Sequence, residues 1–230
     1  MKKILVLVVI GFMFSCGNDS TNFTLKGNVK GLKKGMVYLQ RVQDSALVTI
    51  DSLDVKGNPE FELHTELESP EVLYLKLYKH DNEEHIIPFF ADKGTTEINS
   101  NLKNFEYDFK IKGSKQQEKL EEYQLMMSRF NNQNLDLIKE NFDAQKANDT
   151  SRINESVDKY NNHIKRKYLY TINFAINNKD NEIAPYLALT EVYDANIKFL
   201  DSINNSLTPE VKASKYGKDL QAFIKKRKAQ

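Results

Sequence analysis

At Gly113 the spacing of apolar residues changes from every second position to every third or fourth, which limits the architectures open to the chain. Side chains on a strand alternate between faces, so period two marks half-buried strands, whereas a helix returns to one face every 3.6 residues. Upstream of Gly113 the pattern predicts strands at Phe23–Val29, Met36–Gln40, Ala46–Val55, from Phe61, Val72–Tyr78, Ile86–Phe90 and Thr95–Ile98. A last strand places Phe105, Tyr107, Phe109 and Ile111 on one face. Turn signals punctuate them, among them Gly31–Gly35, Lys56-Gly57-Asn58-Pro59 and Asp92-Lys93-Gly94. Short strands joined by tight turns predict an antiparallel β-sandwich or an open barrel over residues 23–113. No helical crossover separates them, which argues against parallel pairing.

Residues 114–230 read as helical, giving an α+β chain. Ser114-x-x-Gln117 has the form of a capping box. Leu120, Tyr123, Met127, Phe130, Ile138 and Phe142 then follow helical steps, with Asn131–Asn134 a predicted kink or break. Asn148–Ser151 offers N-cap side chains to a second helix with Ile153, Val157, Tyr160, Ile164, Tyr168, Ile172 and Ile176 on one stripe. The short link predicts a long antiparallel helix hairpin, and the stripes predict its seam. Shorter helices are predicted over Ile183–Tyr193 and Ile197–Ile203, from Thr208-Pro209, and, beyond Gly217, from Lys218 to Lys228.

The amino terminus addresses compartment. Met1-Lys2-Lys3 precedes an apolar run from Ile4 to Phe14, the form of a secretory signal peptide and shorter than the ~20 residues of a membrane span. Ser15-Cys16-Gly17 at its end resembles the lipobox of bacterial lipoproteins, in which the Cys carries the lipid. An ordinary signal with a chance Cys is the alternative. The expected organisation is a signal peptide over 1–15, a lipidated linker over 16–22, then the two halves. Cys16 is the single Cys, so a lipid there leaves no disulfide, no redox pair and no thiol nucleophile. There are 33 basic and 32 acidic residues, and losing Lys2 and Lys3 leaves 31 against 32. That balance gives no electrostatic case for nucleic acid.

Candidates for chemistry are few. His80 and His85 flank Asp81–Glu84 and form a weak candidate metal site, although a solvated turn explains the same residues. His64 falls on a predicted strand and His163 just off the helical stripe; neither has a sequence-local acid and nucleophile. No Gly-x-Ser-x-Gly elbow is present, and Gly27, Gly31 and Gly35 lie between strands rather than before a helix. No catalytic residue and no cofactor is expected. Lys225–Lys228 suits either the carboxyl end of a helix dipole or an anionic lipid surface. Asp44-Ser45-Ala46, Asp51-Ser52-Leu53 and Asp201-Ser202-Ile203 resemble an O-glycosylation motif of exported Bacteroidota proteins.

Three segments carry a family resemblance: Phe23-Thr24-Leu25-Lys26-Gly27-Asn28-Val29-Lys30-Gly31-Leu32, Gly35-Met36-Val37-Tyr38-Leu39, and Ile50-Asp51-Ser52 with Gly57 before Phe61-Glu62-Leu63. Together they are similar to a domain of unknown function in Bacteroidota lipoproteins, where it precedes a thioredoxin-like domain of the TlpA/peroxiredoxin type. Lys215–Leu220 is similar to the segment just before that redox domain. No Cys-x-x-Cys occurs in this sequence, so the resemblance implies the location but no oxidoreductase activity of its own. The expectation is a non-catalytic envelope lipoprotein, anchored at the membrane, acting as a binding or scaffold module. The alternative is an accessory protein working in trans with a thioredoxin-like oxidoreductase.

Overall fold

A computed structural model describes residues 21–79 and 84–229. Among the described residues eight strands form two four-stranded sheets: β1 (Phe23–Lys30), β2 (Lys34–Gln43), β3 (Ala46–Lys56), β4 (Glu60–Thr65), β5 (Glu71–Tyr78), β6 (His85–Ala91), β7 (Gly94–Asn101) and β8 (Phe109–Lys112). One sheet has the order β4-β1-β7-β8 and the other β3-β2-β5-β6. Between them lies one apolar core, with Leu25, Val29, Leu63 and Ile98 facing Leu39, Leu73, Leu75 and Phe89. Phe61 lies across Gly27, where a Cβ would stand 2.0 Å from the ring, so this glycine makes room for a core aromatic.

Two expectations for this half need correction. β1 and β7 pair in parallel, from Phe23↔Gly94 to Lys30↔Asn101. The chain between them runs out through β2 and β3 of the other sheet, back through β4, and out again through β5 and β6, so strands do what a helical crossover does elsewhere. The predicted strand from Phe105 to Ile111 is a strand only from Phe109. The side chain of Asn101 accepts from the backbone N–H groups of Lys103 and Asn104, and Asn104 O accepts from those of Tyr107 and Asp108. That turn buries Phe105 and leaves Tyr107 89% exposed, so the alternation across them is accidental.

The second half holds α1 (Lys115–Lys146), α2 (Thr150–Asn177), α3 (Ile183–Thr190), α4 (Ile197–Ser206), α5 (Pro209–Ala213) and α6 (Lys215–Lys228). Ser114 caps α1 by accepting from Gln117 N–H, and Asp149 caps α2 by accepting from Arg152 N–H. The antiparallel hairpin is present. Asn131–Asn134 does not break α1, whose backbone runs on as one helix of 32 residues. Nor is Gly217 a boundary: it lies in the first turn of α6, where a Cβ would stand 2.0 Å from the carbonyl oxygen of Val211. The predicted seam is also displaced. Ser156, His163, Thr171 and Phe174 of α2 are buried toward α1, while Ile172 and Ile176 turn instead toward the layer of α3 to α6. Among the described residues no helix is long and apolar enough to cross a membrane.

Candidate functional site

Cys16 and His80 lie outside the described residues. His85 opens β6 opposite Leu77, and among the described residues no three His, Cys, Asp or Glu side chains are grouped to hold a metal. His64 Nδ1 stands 3.1 Å from Thr24 Oγ1, and its backbone N–H donates to Asp51 Oδ2. Asp44 and Ser45 form the β2–β3 turn in left-handed geometry, and Asp201 pairs with Lys228 at 2.7 Å. Arg227 donates to the carbonyls of Tyr193 and Ala195, so two of the four cations in the terminal run bind the end of α6 to its neighbours.

The joint between the halves is closed by packing. Phe90 and Val72 leave the outer face of their sheet and meet Tyr123, Phe174 and Leu187 in a second apolar cluster. Phe90, Tyr186 and Tyr216 make mutual edge contacts, with centroids 5.2 to 5.8 Å apart. Tyr216 Oη accepts from Val72 N–H at 3.0 Å, and burial pushes the phenol well above its ordinary pKa. Gln117 does not complete a capping box; its Oε1 accepts from Phe90 N–H on β6. Buried Glu71 sits between Arg41 at 3.4 Å and the ammonium of Lys215, so α6 is clamped to β2 and β5 by charge as well as by rings. Sequence reading missed this clamp, because no local pattern links Glu71 to a residue 144 positions away.

A cleft of about 470 Å³ beside the joint is lined by Glu68, Lys93, Asp180, Glu182 and Glu210, among others. Burial, with the charges of Asp92 and Glu210 adding, raises the carboxyl of Glu182 above its ordinary range. Its Oε2 accepts from Gln116 Nε2 at 2.7 Å, and Gln116 Oε1 accepts from Ile183 N–H. Glu182 makes no side-chain cap of its own on α3, so Gln116 of α1 supplies one. The arrangement latches α1 to α3.

The other distinctive surface is the arm formed by α1 and α2. Near its root the seam is aromatic: Tyr123, Phe130, Tyr170 and Phe174 stack with centroids 5.4 to 6.3 Å apart, and His163 meets Phe130 at 5.5 Å. Toward the tip the seam turns polar. Asn141 donates to Ser156 Oγ at 2.6 Å, and the buried Oδ1 of Asn134 has no partner. Four large apolar side chains there point elsewhere, with Leu135 64%, Phe142 55%, Ile138 51% and Val157 45% exposed, while the small Ala144 is buried. On another side a groove of about 410 Å³ runs over His163, edged by Asp136, Glu140, Lys159 and Arg166. Lys159 bridges Glu140 at 2.7 Å and Glu155 at 2.9 Å across that side.

Chemically, the arm offers contact area, one side apolar and another charged. The sequence pattern marks its apolar residues but assigns them to the seam. No curated protein and no solved structure matches the chain. Over residues 23–120, which take in all eight strands and the first turns of α1 but not the tip of the arm, the chain is similar to a family described as a domain of unknown function (DUF4369).

Proposed function

We propose that this chain is a non-catalytic binding or scaffold module of the cell envelope, held at a membrane by a lipid on Cys16, with the two-helix arm as its contact surface. One observation carries the reading: four large apolar side chains of the arm, Leu135, Ile138, Phe142 and Val157, are 45–64% exposed on helices rooted in a well-packed joint. Exposed apolar clusters of this kind mark interaction surfaces. The rigid root supports it too, because a surface held in place loses less freedom on binding. The charged n-region, the apolar run and Ser15-Cys16 support the anchor. Loss of fatty-acid labelling in Cys16→Ala, with release from the membrane fraction, is the expected result for that part. Labelling that survives the substitution overturns it.

The contact surface is tested with a photo-crosslinking residue at position 138 of the chain in envelope extract. A discrete adduct formed at 138, and absent when the crosslinker is moved to exposed Glu62 on β4, supports the arm. Equal labelling from both positions sinks it. The resemblance of Phe23–Ile98 to a domain preceding thioredoxin-like domains supports the second reading, an accessory acting in trans. A Cys-x-x-Cys protein in the adduct favours that reading. Adducts with other envelope proteins favour the independent module.

A further inference from the structure

The two helices of the arm run antiparallel, with Asn141 against Ser156 and Glu140 against Lys159. One step along a helix turns a side chain about 100° around the axis. Since the helices run in opposite directions, a step past the seam turns both toward the same side of the arm. Ile138 and Phe142 each follow a seam position of α1, and Val157 and Ile164 follow Ser156 and His163 of α2. These four therefore share one side, away from the groove lined by Glu140, Lys159 and Arg166.

We infer that a second copy of this chain covers that side, the two arms lying level as a four-helix bundle. The inference rests on the reading of the arm as the contact element and names its first partner. Continuity with an existing interface is the first argument. The α2 stripe continues toward the root as Tyr168, Ile172 and Ile176, and these pack against the layer containing α4. Toward the tip the same stripe is half-buried at Ile164 and Ile153 and exposed at Val157 and Tyr160, where a second arm supplies the missing helices.

Charge is the second argument. The edges of the bare side carry Lys139 on α1 and Asp158 on α2, the residues preceding the Glu140–Lys159 pair and so level within about 3 Å. A two-fold axis parallel to the arm sets each α1 against the α2 of the other copy, which brings Lys139 toward Asp158 twice. An axis across the arm would instead set α1 against α1 and α2 against α2, and Lys139 would not meet Asp158.

The face is small for a specific interface, so the dimer is expected to depend on concentration. Sedimentation velocity on the full chain, from about 1 µM to about 1 mM, reads it directly. A monomer–dimer equilibrium is expected. It should be lost in Ile138→Asp, weakened about fivefold in Lys139→Glu and in Asp158→Lys, and restored in the double reversal. All three positions are exposed or edge positions, and circular dichroism confirms that each variant is folded. A chain monomeric throughout the range overturns the inference, as does a dimer indifferent to Ile138→Asp. Failure of the double reversal to restore the single ones overturns the level arrangement. Binding of a monomeric chain to anionic vesicles would assign the face to a lipid surface instead. A dimer that yields no envelope adduct would leave this inference standing while removing the proposed function.

Discussion

The root and the tip of the arm belong to the same two helices yet are built on opposite plans. At the root, Tyr123, Met127 and Phe130 are buried between α1 and α2, while Leu125 and Leu169 stand outside the seam. At the tip, Asn134, Asn141 and Ser156 occupy the seam with only the small Ala144 buried beside them, while Ile138, Phe142 and Val157 stand outside it. A hairpin that had to be stable alone would place its apolar residues in the seam throughout. The reversal separates two tasks: the root supplies stability, and the tip presents surface at a cost in stability. Secondary structure alone does not reveal that division, because α1 crosses from one plan to the other without a break.

Truncation tests this contrast most strongly. Phe130→Ala removes a ring that is 7% exposed and touches both His163 and Tyr170, so a loss of about 3 kcal/mol is expected in denaturant unfolding. Phe142→Ala removes a ring of equal size at 55% exposure, and at concentrations where the chain is monomeric its midpoint should barely move. Equal losses at the two positions would show that the tip is packed in solution and would remove the contrast. Amide exchange should show the same gradient, with the backbone around Asn141 opening before that around Tyr123.

Tyr216→Phe tests the anchoring of the root. The ring contacts with Phe90 and Tyr186 survive, but Val72 N–H loses its acceptor in a buried place, and about 2 kcal/mol should go with it. A smaller effect is expected at the tip, with the opposite sign. Asn134→Leu replaces a seam amide whose buried oxygen has no partner, so the chain should gain about 1 kcal/mol. If Asn134→Leu destabilises, the polar seam is holding the tip together and the two plans are not opposed.

Much of the β-half was legible in sequence because alternation and turn residues act locally: Leu25 and Val29, or Leu73 and Leu75, face the core as their spacing requires. The helix starts at Ser114 and Asp149 were legible for the same reason. The candidate site was half legible. Leu120 through Phe142 follow helical steps, but after Phe130 the seam passes to Asn134 and Asn141 while the apolar residues run on one position later. Pattern reasoning assumes that apolar residues mark the buried side, and at the tip that assumption fails. Contacts between distant segments had no local signature at all. The Glu71–Lys215 clamp, the Tyr216 cap on Val72 and the parallel pairing of β1 with β7 arise only once the sheets and helices are assembled.

The mildest expected effect concerns the latch that ties the root of α1 to α3. Glu182 is buried and its carboxyl is raised above its ordinary 4.5, with burial the main cause. The native state therefore holds this proton at pH values where the unfolded chain has released it. Stability contributed by the protonated group is fully present below about pH 4.5 and declines as pH rises through the raised native value. Glu182→Gln keeps an acceptor for Gln116 Nε2 and removes the titration. Relative to wild type, the Gln variant should thus gain stability progressively as pH rises from 4.5 toward neutrality, with no such gain below that range. Thermal unfolding of both proteins across pH 3.5 to 7.5 would read the difference. A gap between them that stays constant with pH would mean that Glu182 ionises as freely in the folded protein as in the unfolded chain. The latch would then rest on a charged carboxylate, and the root of the arm would owe less to dry packing than its aromatic seam suggests.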